Sequence, residues 1–308
     1  MPKLIRTHLW FFIALAAVLL AAPHAMIIRI VVSEADPLYW VLSRFVLASL
    51  VLVPFAIWKT NFKMFKKAWK PLVIASFASA GAVILYTQAI YHSQASYVSI
   101  LTLLTPIILI LISARFFKEH ITRRKAAGVT LAMIGALILV TLPLILTQQT
   151  GYGFYPLATF LALIQSFLFV TAIIAMRSAN EAGLPLVTVV GSAALAGVLL
   201  TAPLFAMFGN YANTPVDLGY LLAVLYSGVG IAAVFRAITI AAYEHIGVVA
   251  TAALQYVEIL VAVLLPVLFI NEKLSLSMVA GGIMILFGVY LIESHHKKHI
   301  HHALHRHH

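Results

Sequence analysis

Ten long apolar stretches with short polar connections constrain this chain more than any other sequence feature. A helix needs about 20 mostly apolar residues to cross a bilayer. Only 9% of the residues are charged and 63% are hydrophobic, whereas soluble domains are about 25% charged. A water-soluble enzyme is therefore excluded. We predict an all-α membrane protein whose ten spans are residues 9–32, 38–58, 69–91, 95–117, 126–146, 154–176, 186–208, 218–242, 248–270 and 274–292.

The distribution of positive charge predicts the orientation of the chain. If the spans alternate across the membrane, 16 of the 20 Lys and Arg residues fall on one side. Cytoplasmic loops carry an excess of these residues, so we expect both termini in the cytoplasm. Topology then explains the net charge of +11, and no nucleic-acid partner is needed. The chain has no cysteine, which excludes disulfides and thiolate chemistry.

An internal repeat appears when the chain is shifted on itself by 153 residues. Glu119 then meets Glu272, and the glycines at 128 and 135 meet those at 281 and 288. Each unit has five spans, an odd number, so the second unit is expected to be inverted. Inverted repeats place a substrate site near the midplane and permit alternating access. We divide the chain into a first five-helix repeat (1–147), a second, inverted repeat (148–293) and a His/Lys-rich cytoplasmic tail (294–308).

This arrangement resembles the EamA-type branch of the drug/metabolite transporter superfamily. The resemblance rests on Leu103-Leu104-Thr105-Pro106, Lys118-Glu119-His120, Ala127-Gly128 and Gly135, on their second copy Tyr256-Val257-Glu258, Asn271-Glu272-Lys273, Ala280-Gly281-Gly282 and Gly288, and on Asp36-Pro37 with Ser43-Arg44-Phe45. It implies a ten-helix secondary transporter that exports amino acids or other small metabolites. The family pattern has Glu-Pro in the ninth helix, but here Ile259 follows Glu258. We therefore expect any helix break at this place to be shifted.

Glu258 is the clearest candidate for a functional residue, because an ionisable group inside a bilayer is costly. It lies at the centre of the ninth stretch, and Thr251 and Gln255 share its helix face. The shift of 153 maps Gln255 and Glu258 onto Thr102 and Thr105, so both repeats direct polar positions at one midplane cavity. Exchange of a proton for substrate at Glu258 would give proton-coupled antiport. The plainer alternative is that Glu258 pairs with an arginine and locks the bundle.

Arg236 in the eighth stretch and Arg44 in the second are the candidate partners of Glu258. Together they would leave a net positive cavity that can hold a substrate carboxylate in bidentate fashion. Arg44 lies only about two turns from the start of its helix, which slightly favours an interfacial position. Three further pocket candidates are Tyr86, Gln88 and Tyr256, although such residues more often form interfacial belts or core packing.

Three other sets of polar residues have structural explanations. His24 follows Pro23, whose missing N–H can open a kink, and we expect a hydrogen-bonded structural histidine there. Glu119 and Glu272 lie where one helix turns into the next, and we expect them to bind neighbouring backbone amides. Eight of the 13 histidines lie in the tail, where a basic or tag-like segment is favoured over metal sensing.

Among function classes, a secondary transporter is favoured. We expect a small-molecule substrate and membrane lipid as its partners, no cofactor or metal, and a place in a bacterial or archaeal plasma (inner) membrane. A monomer is plausible because one chain carries both half-sites. An intramembrane enzyme is the alternative, but the chain lacks Gly-x-Ser-x-Gly, paired membrane aspartates and His-Glu-x-x-His. An uncoupled facilitator or channel is the other alternative, and the lack of a phosphate loop argues against ATP-driven transport.

Overall fold

The computed structural model describes residues 3–105, 107–108, 112, 123–146, 155–235, 238–239, 242, 245–246 and 248–293. Every regular element among these residues is helical. This confirms the predicted all-α class for the described part of the chain. The predicted boundary between the repeats at 147 and 148 and the tail 294–308 lie outside the described residues.

The first half of the chain contains six described helices. Pro37 opens the third of them, and the Asp36 side chain caps it by accepting N–H groups of Leu38 and Tyr39 at 2.8 and 2.9 Å. The helices are α1 Lys3–Ala21, α2 His24–Val32, α3 Pro37–Lys59, α4 Phe62–Tyr91, α5 Ala95–Thr102 and α6 Arg123–Leu146.

The second half contains five described α-helices and one π-helix. Asp217 caps the helix that precedes the π-helix, because its side chain accepts the N–H of Tyr220 at 2.9 Å. The elements are α7 Pro156–Glu181, α8 Leu186–Phe208, α9 Leu218–Leu225, the π-helix Tyr226–Phe235, α10 Val248–Phe269 and α11 Leu276–Glu293.

Among the described residues, six helices are long and apolar enough to cross a membrane. They are His8–Val32, Pro37–Lys59, Phe62–Tyr91, Pro156–Glu181, Leu186–Phe208 and Leu218–Phe235. Shorter apolar helices lie at Ala126–Leu142, Val257–Phe269 and Leu276–Leu291. Described helices thus occur in each of the ten predicted stretches, while the number of crossings and the cytoplasmic termini stay predictions.

Two glycine pairs bring the backbones of α6 and α11 into contact. A Cβ atom on Gly135 would lie 2.7 Å from the Gly281 carbonyl oxygen, and one on Gly288 would lie 2.5 Å from the Gly128 carbonyl oxygen. Residue numbers run in opposite directions along this contact, so the two helices are antiparallel. The shift of 153 residues converts one pair into the other. Such reciprocity is what a two-fold relation between the repeats requires.

Other equivalent helices also pack against each other across the repeats. Phe45 and Leu52 of α3 lie against Gly197 and Gly191 of α8, again in antiparallel order. α5 packs against α10, its counterpart under the shift. The start of α4 packs on the end of α7, where Ala68, Leu72, Ala75, Ala175, Ala179, Leu184 and Val189 form a buried cluster. These contacts place the start of α4 and the end of α7 at the same end of the bundle.

The fourth stretch has a break that the ninth lacks. α5 ends at Thr102, and the chain turns at Leu103 and Leu104, shortly before Pro106. α10 instead continues through Glu258 and Ile259 to Phe269. Proline lacks the N–H that a helix needs, whereas Ile259, at the position equivalent to Pro106, retains it. Because the described helix is continuous from Val248 to Phe269, the expectation that any break there would be shifted does not apply.

The glycine contact between α6 and α11 gives a first prediction. Gly281→Ala places a Cβ 2.6 Å from the Gly135 carbonyl oxygen, so the helices must separate, with an expected loss of about 1–3 kcal/mol in unfolding free energy. The neighbouring Gly282→Ala is the control, since its nearest contact is an ordinary 3.5 Å to Ile100. Thermal unfolding in detergent measures both variants. Equal unfolding temperatures for the two would contradict the contact.

Candidate functional site

A polar cluster connects the first stretch, α3 and the π-helix. Nε2 of His24 lies 2.9 Å from Oγ of Ser227 and 3.4 Å from Nη1 of Arg44. The second guanidinium nitrogen of Arg44 donates to the Ser227 carbonyl at 3.4 Å. Because an arginine can only donate, Nε2 accepts in its contact with Arg44, which places the ring proton of a neutral His24 on Nδ1. His24 thus has the partners expected of a structural histidine.

Arg44 is buried, with 5% of its surface exposed. Its position relative to the membrane interface stays a prediction. Counting turns along α3 gives the depth of Arg44 but omits the neighbouring helices that cover it. One of these is the π-helix, where a Cβ on Gly228 would lie 2.8 Å from the Arg44 carbonyl oxygen. Only glycine permits this approach, which brings Ser227 to the guanidinium.

Tyr226, at the start of the π-helix, supplies a hydrogen-bond donor to a backbone carbonyl that lacks one at the kink of the first stretch. α1 ends at Ala21 and the chain turns at Pro23, which leaves the last carbonyls of α1 without helical donors. The Tyr226 hydroxyl donates to the Leu20 carbonyl at 2.6 Å. The Tyr226 ring lies 6.2 Å from that of His24. Tyr226 therefore joins the π-helix to the kink through a hydrogen bond and a ring contact.

Glu258 lies near this cluster. It is partly buried in α10, and both Tyr86 and Tyr226 are close enough to interact with its charge. Tyr86 also lies within electrostatic range of Arg44 and beside Ser99 of α5. The structure thus brings Tyr86, Glu258 and Arg44 into one region. The described hydrogen bonds of Arg44 go to His24 and Ser227.

The two threonines predicted in the fourth stretch lie on either side of its break. Thr102 donates to the Ser99 carbonyl at 2.7 Å, and Thr105 donates to Oγ of Ser166 in α7 at 3.3 Å. At the break, the N–H groups of Leu103 and Leu104 donate to the carbonyls of Ile100 and Leu101 at 3.1 and 3.0 Å, which tightens the backbone of this membrane stretch. Irregular backbone at this depth is tolerated where it is covered by protein or lines a cavity.

The remaining predicted residues are placed less fully. Gln88 is partly buried in the last turn but one of α4. Thr251, Gln255 and Tyr256 belong to α10, but their side chains lie outside what the structure describes. Arg236 itself lies outside the described residues. Sequence reasoning missed Ser227 and the π-helix, although two glycines at 228 and 230 in an apolar helix signal close packing there.

Glu272 confirms the expectation that it binds backbone amides. Its carboxylate accepts the N–H groups of Ala95 and Ser96 at 2.8 and 2.9 Å, and the Ser96 hydroxyl at 2.6 Å. It therefore caps the N-terminus of α5 from the loop between α10 and α11. Glu119, its counterpart under the shift, lies outside the described residues.

Comparison with known families agrees with this two-repeat arrangement. The sequence profile of the EamA-like transporter family matches residues 8–141 and, a second time, residues 156–294.

The chain belongs to the EamA-like transporter family.

This membership makes it an integral membrane protein and a transporter of the drug/metabolite type. Among solved structures, one crystal structure of a protein aligns with a TM-score of 0.62 at 19% sequence identity, covering 92% of this chain and 96% of that chain. At this identity the likeness shows a shared fold alone. No curated protein matches the sequence.

The bond from Tyr226 to the kink gives a second prediction. Tyr226→Phe removes the donor to the Leu20 carbonyl and should lower the unfolding free energy by about 1 kcal/mol. Tyr290→Phe is the control, because that residue is 63% exposed. In a Pro23→Ala background the helix can continue and supply the donor itself, so the cost of Tyr226→Phe should shrink. Thermal unfolding of the four variants of this cycle measures the coupling. Equal costs in both backgrounds would mean that Tyr226 does not serve the kink.

Proposed function

We propose that this EamA-family protein is a secondary exporter of small organic solutes, of which amino acids and related metabolites fit best. The observation that carries the proposal is that Tyr86 lies within electrostatic range of both Glu258 and Arg44, in a region where helices are interrupted. Carboxylates and arginines inside a membrane mark substrate and ion pathways. Transporters also bind their substrates where helices are discontinuous.

The chemistry of these residues supports a substrate that carries both charges. The Arg44 guanidinium can bind a substrate carboxylate through two parallel N–H donors. Glu258 can bind an ammonium group, and Tyr86 lies within range of both charged side chains. In this proposal Thr102, Thr105, Thr251, Gln255, Arg236, Gln88 and Tyr256 complete the lining of the cavity.

The inverted repeat supports alternating access as the transport cycle. The close antiparallel glycine contact of α6 with α11 can serve as the fixed axis about which the other helices of the two five-helix units rock, while the site stays near the midplane. We place ten crossings in a bacterial or archaeal plasma (inner) membrane, with both termini in the cytoplasm. The chain can work as a monomer, because it contributes both halves of the site.

We further propose that Glu258 couples substrate to protons. In such a cycle, Glu258 releases its proton on one side as substrate binds and takes up a proton on the other side as substrate leaves, so that it holds substrate or proton but not both. A pH gradient of one unit is worth about 1.4 kcal/mol per proton, or about tenfold in accumulation. An uncoupled facilitator would show no such dependence on the gradient.

Uptake into proteoliposomes tests the third prediction. With a panel of amino acids, a one-unit pH gradient should accelerate exchange by wild-type protein and raise accumulation by up to about tenfold. Glu258→Gln should abolish that response and leave at most gradient-independent exchange.

The control for this experiment is Glu34→Gln, an exposed glutamate in the turn after α2 that should retain the full response. If Glu258→Gln responds to the gradient as wild type does, Glu258 is structural. If wild-type protein itself moves substrate equally at every pH, the protein is a facilitator.

A further inference from the structure

The turn between α4 and α5 is held by side chains from two other elements. Arg29 of α2 donates from Nη1 to the carbonyls of Ile90 and Tyr91 at 3.2 and 3.1 Å, and so caps the end of α4. Glu272 caps the start of α5 through its three bonds to Ala95 and Ser96. A positive side chain therefore binds the C-terminus of α4 and a negative one binds the N-terminus of α5, which are the charges that the helix dipoles favour at these ends.

The bonds of Glu272 are short and join the two repeats. One carboxylate satisfies two backbone N–H groups and a hydroxyl at 2.6–2.9 Å. Hydrogen bonds to a charged acceptor are about twice as strong as neutral ones. Tyr155, at the start of α7, lies within electrostatic range of both Glu272 and Arg29. Three elements besides α4 and α5 thus converge on this turn, namely α2, the start of α7 and the loop between α10 and α11.

The loop that carries Glu272 is itself the cap of α10. Asn271 has a φ of 55°, the left-handed conformation that commonly ends helices and that asparagine tolerates. The N–H of Glu272 then donates to the Pro266 carbonyl at 3.2 Å. Because of this turn, Glu272 has two roles. Its backbone N–H closes the C-terminus of α10, the helix that carries Glu258, and its side chain caps the start of α5.

α5 links this clamp to the candidate site. Ser99 lies one turn beyond Ser96, is 3% exposed and sits beside Tyr86. Thr102 ends the helix about 10 Å from its start, immediately before the break. A shift of the α5 start would therefore move Ser99 and Thr102 relative to Tyr86 and Glu258.

We propose that Glu272 is a positioning residue for transport: it couples α10 to α5 and keeps this end of the pathway closed, and its bonds to Ala95 and Ser96 break when that end opens. The inference rests on the proposed transport function, since a closed end has meaning only for a pathway. A purely structural cap would stabilise the fold without controlling access to the residues below it.

Cysteine labelling tests the inference, because the natural chain contains no cysteine. Ser99→Cys places one thiol below the clamp, in the full-length protein reconstituted in liposomes. The reaction rate of this thiol with a membrane-impermeant maleimide is measured well below the unfolding temperature. Adding Glu272→Gln should raise the rate about tenfold, the factor expected for the loss of one charged hydrogen bond.

Two further variants make the outcome decisive. Ser96→Ala removes only the hydroxyl bond to Glu272, so it should raise the labelling rate less than Glu272→Gln does. If Glu272→Gln fails to fold, the rate of Ser96→Ala tests the inference in its place. Glu181→Gln is the matched control, because it removes an exposed carboxylate that pairs with Arg177 at the far end of α7. Its rate should equal that of Ser99→Cys alone.

An unchanged rate in folded Glu272→Gln, or in Ser96→Ala when Glu272→Gln does not fold, would overturn the inference. An equal rise of the labelling rate in Glu181→Gln would also overturn the inference. Labelling requires no substrate, so its outcome is independent of the uptake experiment. A normal labelling response with no transport of any solute would leave the clamp intact and contradict the proposed function instead.

Discussion

A backbone N–H or C=O inside a bilayer needs a partner from the protein, because no water is available to replace a lost helical bond. Where a membrane helix ends or breaks, the partner is therefore a tighter local backbone bond, as at Leu103 and Leu104, or a side chain from elsewhere. Tyr226 supplies it at the Leu20 carbonyl, Arg29 at the end of α4 and Glu272 at the start of α5. Two of these three residues, Tyr226 and Glu272, lie in the second half of the chain and bind backbone groups of the first half. The bonds that make broken helices tolerable are thus also bonds between the repeats.

The glycine contact of α6 with α11 has the opposite character. Here the backbones meet without polar side chains, and a single added carbon would force them apart. Close contact of this kind suits a fixed seam, whereas hydrogen bonds at helix ends can be exchanged for others during a transport cycle. The polar groups near Glu258 lie among the interrupted helices. The fold therefore separates a closely packed seam from helix ends that are held by hydrogen bonds.

The sequence was sufficient to predict the helical class, the stretches and the 153-residue repeat, because apolar length and glycine spacing are local signals. It also predicted that Glu272 binds amides, since a carboxylate between two helices has few other partners. The burial of Arg44 and its contact with His24 were not predictable, because they depend on the π-helix that covers α3. That π-helix, and the cap by Tyr226, arise from packing between residues about 200 positions apart, which no local pattern records.

In the proposed transport cycle, two inverted halves move reciprocally around a midplane site. Pairs of spin labels on introduced cysteines measure this directly, with Glu34 and Lys273 replaced at one end of the bundle and Arg123 and Glu181 at the other; all four residues are exposed. The distances are recorded in lipid with and without substrate and across a change of pH. Reciprocal motion predicts that one distance lengthens when the other shortens. Two distances that stay constant, or that lengthen together, in protein that transports would contradict it.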